Sequence, residues 1–309
     1  MSAPGSPFGP MTLVCNVRAG HGGTGRALPE LVRSLEEREL EYVVVETEAP
    51  GHAIDIARTA LEAGSKLIVA VGGDGTIHEV VNGMMDNDRA LNPEAALGVV
   101  AAGTGSDFIK TFGLPPWPSH AAAHLDGNES FPIDVGKVSY TKDGAPATRY
   151  FANIAEAGLG AMVARRARRL PRLFGPTVYL FAFWMVLATH KPAQVRVDLV
   201  DRVYEGPMNN LVVANGQFFG GGMKIAPKAA PTDGLLDVQI EHARKRDAIA
   251  SMPKVYRGEH LPHPDVEEAK RVRVSISAER PLLIEADGEV LGHTPATFEV
   301  LKDALRLKV

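Results

Sequence analysis

Lys66-Leu-Ile-Val-Ala-Val-Gly-Gly-Asp-Gly-Thr-Ile-His-Glu-Val-Val-Asn-Gly83 is the stretch of sequence that decides the fold. Residues 67–71 are a short apolar run with β-branched members, which is typical of a strand buried on both faces of a parallel sheet. Gly72-Gly73-Asp74-Gly75 then leaves almost no side-chain bulk, and Thr76 is a residue type that caps helices. The pattern predicts a strand, a glycine turn and a helix capped by Thr76.

A glycine turn before a helix is suited to phosphate, because backbone N–H groups and the positive end of the helix dipole meet there. Asp74 lies inside this turn. A carboxylate repels a phosphate unless a cation or a reacting proton lies between them, so Asp74 indicates Mg²⁺-dependent phosphoryl transfer. On spacing alone, a structural turn and a dinucleotide-binding turn both stay open.

The chain is long enough for two domains, with 309 residues. Its net charge of −4 gives no general attraction to nucleic acid, and we expect no nucleic-acid partner. The single cysteine, Cys15, excludes an intramolecular disulfide and fits a reducing compartment. The most hydrophobic stretch, residues 178–188, is far shorter than the ~20 residues that span a bilayer. We therefore expect a cytoplasmic protein with peripheral membrane contact.

Strands and helices alternate in the first part of the chain, which predicts a doubly wound parallel sheet. The predicted strands are residues 11–17, 42–45, 67–71 and 96–101. Residues 18–25 are predicted to be a loop. From about residue 130 the pattern becomes that of antiparallel strands, with one strand at 149–155 and a hairpin turn at Asp143-Gly144.

These patterns divide the chain into four segments. Residues 1–10 are rich in Pro, Gly and Ser and are expected to be disordered. Residues 11–129 form the α/β nucleotide-binding domain and residues 130–303 a mostly antiparallel β domain. Residues 304–309 are a final strand whose domain stays open.

Two further loops follow predicted strands at the same edge of the sheet. Asn16-Val17-Arg18-Ala19-Gly20 follows the first strand, and Gly103-Thr104-Gly105-Ser106-Asp107-Phe108 follows the fourth. The second of these repeats the combination of glycines, a hydroxyl, an acid and a helix start. Together with the glycine turn it predicts a site that holds a triphosphate from two sides.

The order of these motifs resembles the diacylglycerol kinase catalytic family, which includes bacterial lipid kinases, diacylglycerol kinases and sphingosine kinases. Further resembling segments are the turn at 226–237 and Asp287-Gly288-Glu289. The resemblance implies a doubly wound nucleotide-binding domain like that of NAD kinase and phosphofructokinase, followed by a β-sandwich domain for the lipid. It implies transfer of the ATP γ-phosphate to a lipid hydroxyl, most simply that of diacylglycerol.

The resemblance also assigns roles to residues of the first domain. Those implied to contact ATP are Asn16, Arg18, Gly20, Thr47, Gly72, Gly73, Asp74, Gly75, Thr76, Glu79, Thr104 and Asp107. Asp74, Asp107 and Asp134 are implied to organise Mg²⁺. Ser106 stands where the family has Asn, so a hydrogen-bonding group with a shorter reach replaces the amide.

Two acidic segments of the second domain have implied roles as well. Asp233, with the backbone carbonyls of Ala230 and Leu235, is implied to hold a structural Mg²⁺. Thr232 replaces the first Asp of the family's pair. Asp287 or Glu289 is implied to accept the proton of the lipid hydroxyl, with Asp74 as the third catalytic residue. The residues alone favour an ordinary turn at 231–234 and another at 287–288.

A cluster of arginines is a candidate surface for membrane contact. Arg165, Arg168, Arg169 and Arg172 fall at helical spacing on one face. Such a face either is solvated or contacts an anionic membrane. The sequence leaves a homodimer open.

Two other functions stay open. NAD kinases share the Gly-Gly-Asp-Gly core of residues 72–75, although that alternative does not account for residues 103–108 together with 287–289. The other is a lipid-binding or regulatory homologue with weak catalysis, which Ser106 and Thr232 favour.

Overall fold

The computed structural model describes residues 8–101, 107–114, 118–170, 178–243 and 245–309. Its backbone forms two units. Unit 1 comprises the described residues up to Asp134 together with Asp303–Val309, and unit 2 is Val135–Lys302. The chain passes between the units within two of its strands.

Eight helices are assigned within the described residues. They are α1 (Ala19–Glu36), α2 (His52–Glu62), α3 (Asp74–Met84), α4 (Asp107–Phe112), α5 (Pro118–Leu125), α6 (Leu159–Ala167), α7 (Val178–Thr189) and α8 (Lys245–Arg257). The strands are β1 (Met11–Cys15), β2 (Tyr42–Glu46), β3 (Leu67–Gly72), β4 (Met85–Asp86), β5 (Arg89–Ala90), β6 (Ala96–Ala101), β7 (Ser130–Lys142), β8 (Ala145–Phe151), β9 (Ile154–Gly158), β10 (Ala193–Asp198), β11 (Val203–Met208), β12 (Asn210–Ala214), β13 (Leu236–Glu241), β14 (Val266–Arg271), β15 (Arg273–Ala278), β16 (Leu283–Ala286) and β17 (Glu289–Lys308).

Unit 1 is built on a parallel sheet, as the alternating pattern predicts. The strand order is β2-β1-β3-β6, and the end of β17 continues it by pairing in parallel with β6. Every residue of β3 and of β6 is buried, because helices cover both faces of the sheet. The carboxyl ends of β1, β2, β3 and β6 lie along one edge, which is where ligands of such sheets bind.

The helices of unit 1 pack on the sheet in pairs. Leu31 and Leu35 of α1 and Leu125 of α5 share one hydrophobic cluster with β1, β3 and β6. Helices α2 and α3 pack against each other and contact β1 and β3. Gly83 allows this approach, since a Cβ there would lie 2.4 Å from the carbonyl oxygen of Ile54.

Two predicted boundaries in this region are wrong. The expected loop at 18–25 lies almost entirely within α1, which begins at Ala19. Gly20 and Gly22 take positive φ values of 57° and 76°, so the glycines that suggested a loop shape an irregular helix start. The predicted strand at 149–155 is two strands, β8 and β9, separated by residues 152–153.

Unit 2 has the layers of a β-sandwich. One layer contains β14-β13-β12-β9-β16 and the other β8-β7 and β15-β10-β11, with β17 pairing into both. Apolar side chains from both layers form one buried cluster that includes Phe151, Leu211, Val238, Ile276 and Phe298. The hairpin predicted at Asp143-Gly144 is confirmed, with φ values of 50° and 82° at the two turn residues that join β7 to β8.

The final strand is much longer than the predicted segment 304–309. It pairs with β16 over 289–293, with β15 over 296–299 and with β6 over 306–307. Its last residues belong to unit 1, and Lys308 is fully buried there. The Lys308 ammonium donates to the carbonyls of His124 and Asp126 at the end of α5.

Helices α6 and α7 form a small hydrophobic cluster of their own in unit 2. Helix α6 ends at Ala167, so Arg168 and Arg169 follow the helix, and Arg168 keeps helical φ and ψ values of −63° and −22° with its N–H bonded to the carbonyl of Ala164. Arg172 lies outside the described residues. Among the described residues, no helix has both the length and the apolar character needed to cross a membrane.

Candidate active site

The loops predicted to hold the nucleotide meet at the carboxyl edge of the unit 1 sheet. The backbone N–H of Asn16 donates to the carbonyl of Val71 over 3.0 Å, and that of Thr47 donates to the carbonyl of Cys15 over 2.9 Å. The first residues after β1, β2 and β3 are therefore neighbours. Thr104, with residues 102–106 as a whole, lies outside the described residues.

The glycine turn starts α3 three residues earlier than predicted. Gly73 is the residue before the helix, and Thr76 makes no capping hydrogen bond, so the predicted cap is wrong. Thr76 is 4% exposed, and its Oγ1 has no hydrogen-bond partner among the described residues. Among the described residues, a Cβ at Gly73 or Gly75 would meet nothing within 4 Å, so these residues leave space over the helix start. A buried hydroxyl without a partner and an open helix N-terminus fit a phosphate group.

Asp74 is the first residue of α3, and its carboxylate joins α3 to α4. Oδ2 accepts the backbone N–H of Asp107 and Oδ1 that of Phe108, each over 3.1 Å. Asp74 thus satisfies two N–H groups at the start of α4. Asp107 is 4% exposed, and its Oδ1 lies 3.2 Å from the ammonium of Lys110. Both carboxylates are oxygen donors of the kind that Mg²⁺ prefers, so their chemistry fits this ion.

Glu79 holds the loop after β2. Its two carboxylate oxygens accept the backbone N–H groups of Gly51 and Ala53, over 2.9 Å and 3.2 Å, at the start of α2. Glu79, which the resemblance assigns to nucleotide contact, therefore holds the start of α2 in place. On the other side, Oδ1 of Asn16 accepts the N–H of Arg18, whose side chain is exposed.

Asp134 has a structural partner in unit 1. Its side chain is fully buried, and Oδ1 accepts the backbone N–H of Asp303 over 2.9 Å. Asp303 has a φ of 50°, a backbone conformation that this hydrogen bond helps to hold. Its predicted role at Mg²⁺ stays a prediction.

In unit 2, Asp287-Gly288 forms the two-residue turn between β16 and β17. The φ values are 49° and 82°, as this turn requires of both residues. The Asp287 carboxylate accepts three backbone N–H groups, from Ala152, Asn153 and Ile154, over 2.8–3.1 Å. Asp287 therefore ties its turn to the start of β9.

Glu289 is placed differently, although it is only two residues away. It is the first residue of β17, and its carboxylate pairs with the guanidinium of Arg168 just after α6. The Glu289 side chain is 36% exposed and that of Arg168 is 49% exposed. Of the two acids, Glu289 pairs with a side chain, whereas Asp287 is bonded to the backbone.

A buried pair of acids beneath this turn was missed by the sequence analysis. Glu156 of β9 and Glu285 of β16 are directly opposite each other in the sheet, and each is 2% exposed. Burial raises the pKa of Glu156 to about 7, while burial and the adjacent Glu156 raise the pKa of Glu285 well above its usual range. Oε2 of Glu285 accepts the N–H of Gly288, so the pair supports the turn. The sequence contains one sign of this pair, because Glu156 and Glu285 each lie within an apolar run.

The turn expected to hold a structural Mg²⁺ has its oxygens engaged. Oδ1 of Asp233 accepts the N–H of Leu235 over 2.9 Å, and Oδ2 lies 2.8 Å from the ammonium of Lys270. The carbonyl of Ala230 accepts two N–H groups, those of Thr232 and Asp233. These residues do not fit the implied metal, because the Lys270 ammonium lies among the oxygens of Asp233, Asp237 and the Lys228 carbonyl and so takes the position of a cation. Among the described residues, no group of three or more Asp, Glu, His or Cys could hold a metal ion.

Two family models cover most of the chain. The model of the diacylglycerol kinase catalytic domain matches residues 10–138. The model of the YegS C-terminal NAD kinase beta sandwich-like domain matches residues 153–309. Both the α/β fold and the β-sandwich predicted from the sequence are thereby confirmed.

Curated relatives and a solved structure agree with these models. A protein named diacylglycerol kinase from Staphylococcus epidermidis is 29% identical over 297 residues, which cover 96% of this chain and 90% of that protein. One of the same name from Bacillus subtilis is 28% identical and covers 93% of this chain and 91% of its own. The crystal structure of a diacylglycerol kinase from Bacillus anthracis str. Sterne shares the fold, with a TM-score of 0.68, 20% identity and coverage of 97% and 96%. The chain belongs to the diacylglycerol kinase catalytic family of kinases, in the form that carries the YegS-type C-terminal domain.

Proposed function

We propose that this protein transfers the γ-phosphoryl group of ATP to the hydroxyl of a membrane lipid, with diacylglycerol as the acceptor and phosphatidic acid as the product. The observation that carries the proposal is the helix start at Gly73–Gly75, which is open toward the described residues, with the Thr76 hydroxyl beside it, which has no hydrogen-bond partner among them. The family supports ATP as the phosphoryl donor, and the names of the relatives support the acceptor.

In this proposal unit 1 holds the nucleotide. The backbone amides of Gly73 to Thr76 and the Thr76 hydroxyl bind phosphate oxygens, while Asn16 and Thr47 line the neighbouring loops. Mg²⁺, when bound, would neutralise phosphate charge, and Asp74 and Asp107 are the residues that would hold it. Asp74 also fixes the start of α4 through two backbone hydrogen bonds, to Asp107 and Phe108.

Unit 2 supplies the proton acceptor, and we assign this role to Glu289. The lipid oxygen forms a bond to the γ-phosphorus as the bond to the ADP oxygen breaks, and the hydroxyl proton passes to the acceptor. Asp287 is poorly suited, because its carboxylate is bonded to three backbone N–H groups and holds the turn in place. Glu289 is paired with a side chain instead, and the guanidinium of Arg168 orients its carboxylate.

The membrane contact is assigned to the end of α6 and to α7. Arg165 and Arg169 are exposed, and Arg168 is engaged by Glu289. On α7, Phe181 and Trp184 are 43% and 41% exposed and lie one helical turn apart. Exposed aromatic side chains next to arginines suit the interface of an anionic bilayer.

The test is a kinase assay with radiolabelled ATP and four acceptors: diacylglycerol, a sphingoid base, a polyprenol and NAD. We expect labelled phosphatidic acid, formed faster on vesicles with anionic lipid than on vesicles of zwitterionic lipid alone. Label only in NAD would establish the NAD kinase alternative. Label in none of them, with lipid binding intact, would establish the weakly catalytic homologue.

The base assignment is tested by Glu289→Gln with Glu205→Gln as its control. Glu205 also forms an exposed ion pair with an arginine, Arg196 of β10. We expect Glu289→Gln to lower kcat by about 100-fold or more and Glu205→Gln to leave it unchanged. A Glu289→Gln rate within threefold of wild type would remove Glu289 from this role.

A further inference from the structure

We propose that the ammonium of Lys270 takes the place of the structural Mg²⁺ expected at the turn 230–237, so that an internal cation holds this turn and no divalent metal binds there. The proposal does not depend on the lipid acceptor. It concerns how unit 2 is stabilised and which metal-binding positions the chain retains.

Three oxygens surround the Lys270 ammonium. Nζ lies 2.8 Å from Oδ2 of Asp233, 3.0 Å from the carbonyl oxygen of Lys228 and 3.2 Å from Oδ2 of Asp237. Nζ donates hydrogen bonds to Oδ2 of Asp233 and to the carbonyl of Lys228, and it forms an ion pair with Asp237. Two carboxylates and a carbonyl are also the kind of ligand set that a hard cation would take.

The backbone keeps Lys270 at this position. Lys270 of β14 is directly opposite Asp237 of β13 in the antiparallel pairing. Side chains of directly opposite residues lie close together on one face of the sheet. Lys270 therefore meets the acids through the strand register and not through a flexible surface loop.

Two other implied ligand oxygens of this turn are already bonded. Asp233 accepts the N–H of Leu235 with its other oxygen, and the carbonyl of Ala230 accepts two N–H groups. Thr232 stands where the resembling family has an acid, so the turn carries one negative charge fewer. A monovalent ammonium suits this smaller charge better than a divalent ion does.

Burial makes the ammonium necessary for the acids it meets. The Asp237 side chain is only 11% exposed, and the Lys270 ammonium lies 3.2 Å from its Oδ2. Removing the ammonium would leave Asp237 buried without a counter-charge.

The first experiment counts Mn²⁺ sites by electron paramagnetic resonance in the nucleotide-free full chain. Wild type and Asp233→Asn are compared. We expect the same number of sites with the same affinity, because Asp233 holds no metal. A site that wild type has and Asp233→Asn lacks would overturn the proposal.

The second experiment measures Tm in EDTA for Lys270→Met, with Lys228→Met as the matched control. Lys228 is on the same surface, and its ammonium pairs with Glu268 while its side chain is 56% exposed. We expect Lys270→Met to lower Tm by about 3 °C or more and Lys228→Met to change it by less than 1 °C, an order-of-magnitude scale for a unit of this size. Equal Tm values for Lys270→Met and wild type in EDTA would overturn the proposal. Neither experiment uses lipid or nucleotide, so its outcome is separate from that of the kinase assay.

Discussion

Replacing Asp287 by Ala should destabilise unit 2 far more than the loss of an ordinary turn residue. The carboxylate accepts three backbone N–H groups from residues 152–154, which are between 1% and 5% exposed. A hydrogen bond to a charged group contributes about 1.5–3 kcal/mol, and Asp287 is half-buried, so we take about 1 kcal/mol for each. Alanine at a φ of 49° adds about 1 kcal/mol of backbone strain. The expected loss is about 4 kcal/mol.

The chain contains a matched control for this substitution. Asp143 occupies the same position in the same kind of turn, with φ values of 50° and 82° over Asp143-Gly144. Its side chain is exposed and makes no hydrogen bond that the structure records. Asp143→Ala should therefore cost only the backbone strain, about 1 kcal/mol. The difference between the two variants isolates the three hydrogen bonds of Asp287.

The free energies of unfolding come from urea titrations followed by circular dichroism, with linear extrapolation to water. Asp287→Asn should lie between the other variants, at about 2 kcal/mol, because the amide keeps one acceptor oxygen and turns a donor toward another N–H. A value for Asp287→Ala within 1 kcal/mol of that for Asp143→Ala would refute the reasoning. It would mean that water replaces the carboxylate at little cost.

The other two predictions concern a buried acid and a buried hydroxyl. Burial raises the pKa of Glu156 from 4.5 to about 7, so the folded chain binds the carboxyl proton of Glu156 more tightly than the unfolded chain does. The stability that this proton contributes is present below about pH 4.5 and is lost as the pH rises to about 7. Glu156→Gln should remove that loss, and urea titrations of wild type and variant at pH 5 and pH 8 test this. An equal change in the free energy of unfolding between the two pH values in both proteins would contradict it. Thr76→Val should raise the KM for ATP about fivefold or more. It should not lower Tm, because the hydroxyl has no hydrogen-bond partner to lose among the described residues. Thr76→Ser keeps the hydroxyl, so its KM and Tm should stay close to those of wild type. A lower Tm for Thr76→Val would show that the hydroxyl has a structural partner.

Local patterns predicted the parts of the fold that local forces decide. The apolar runs of β3 and β6 are buried on every residue, as runs without alternation should be. Asp143-Gly144 forms the predicted turn, because both residues tolerate positive φ. The start of α3 was harder to locate: Thr76 is a good capping residue, but the chain already turns at Gly73, and the hydroxyl is left inside the first turn.

Partners far apart in the sequence could not be predicted in the same way. Glu289 meets Arg168 across 121 residues, and Asp233 meets Lys270 across 37. In both cases the spacing of charged residues gives no sign of the pair, because the fold brings together segments that are distant in the sequence. The acids Glu156 and Glu285 did leave a trace, since each interrupts an apolar run, and such an interruption is a reason to look for a partner on a neighbouring strand.

The route of β17 has a consequence for biosynthesis. Unit 2 is an insertion within unit 1. The buried carboxylate of Asp134 accepts the backbone N–H of Asp303, a residue that is synthesised 169 residues later. On the ribosome the nucleotide-binding sheet is therefore begun first and completed last, after the whole inserted unit has been made. A fragment ending near residue 134 would expose the edge of β6 that Arg306 and Leu307 cover, and we expect it to bind chaperones or to aggregate.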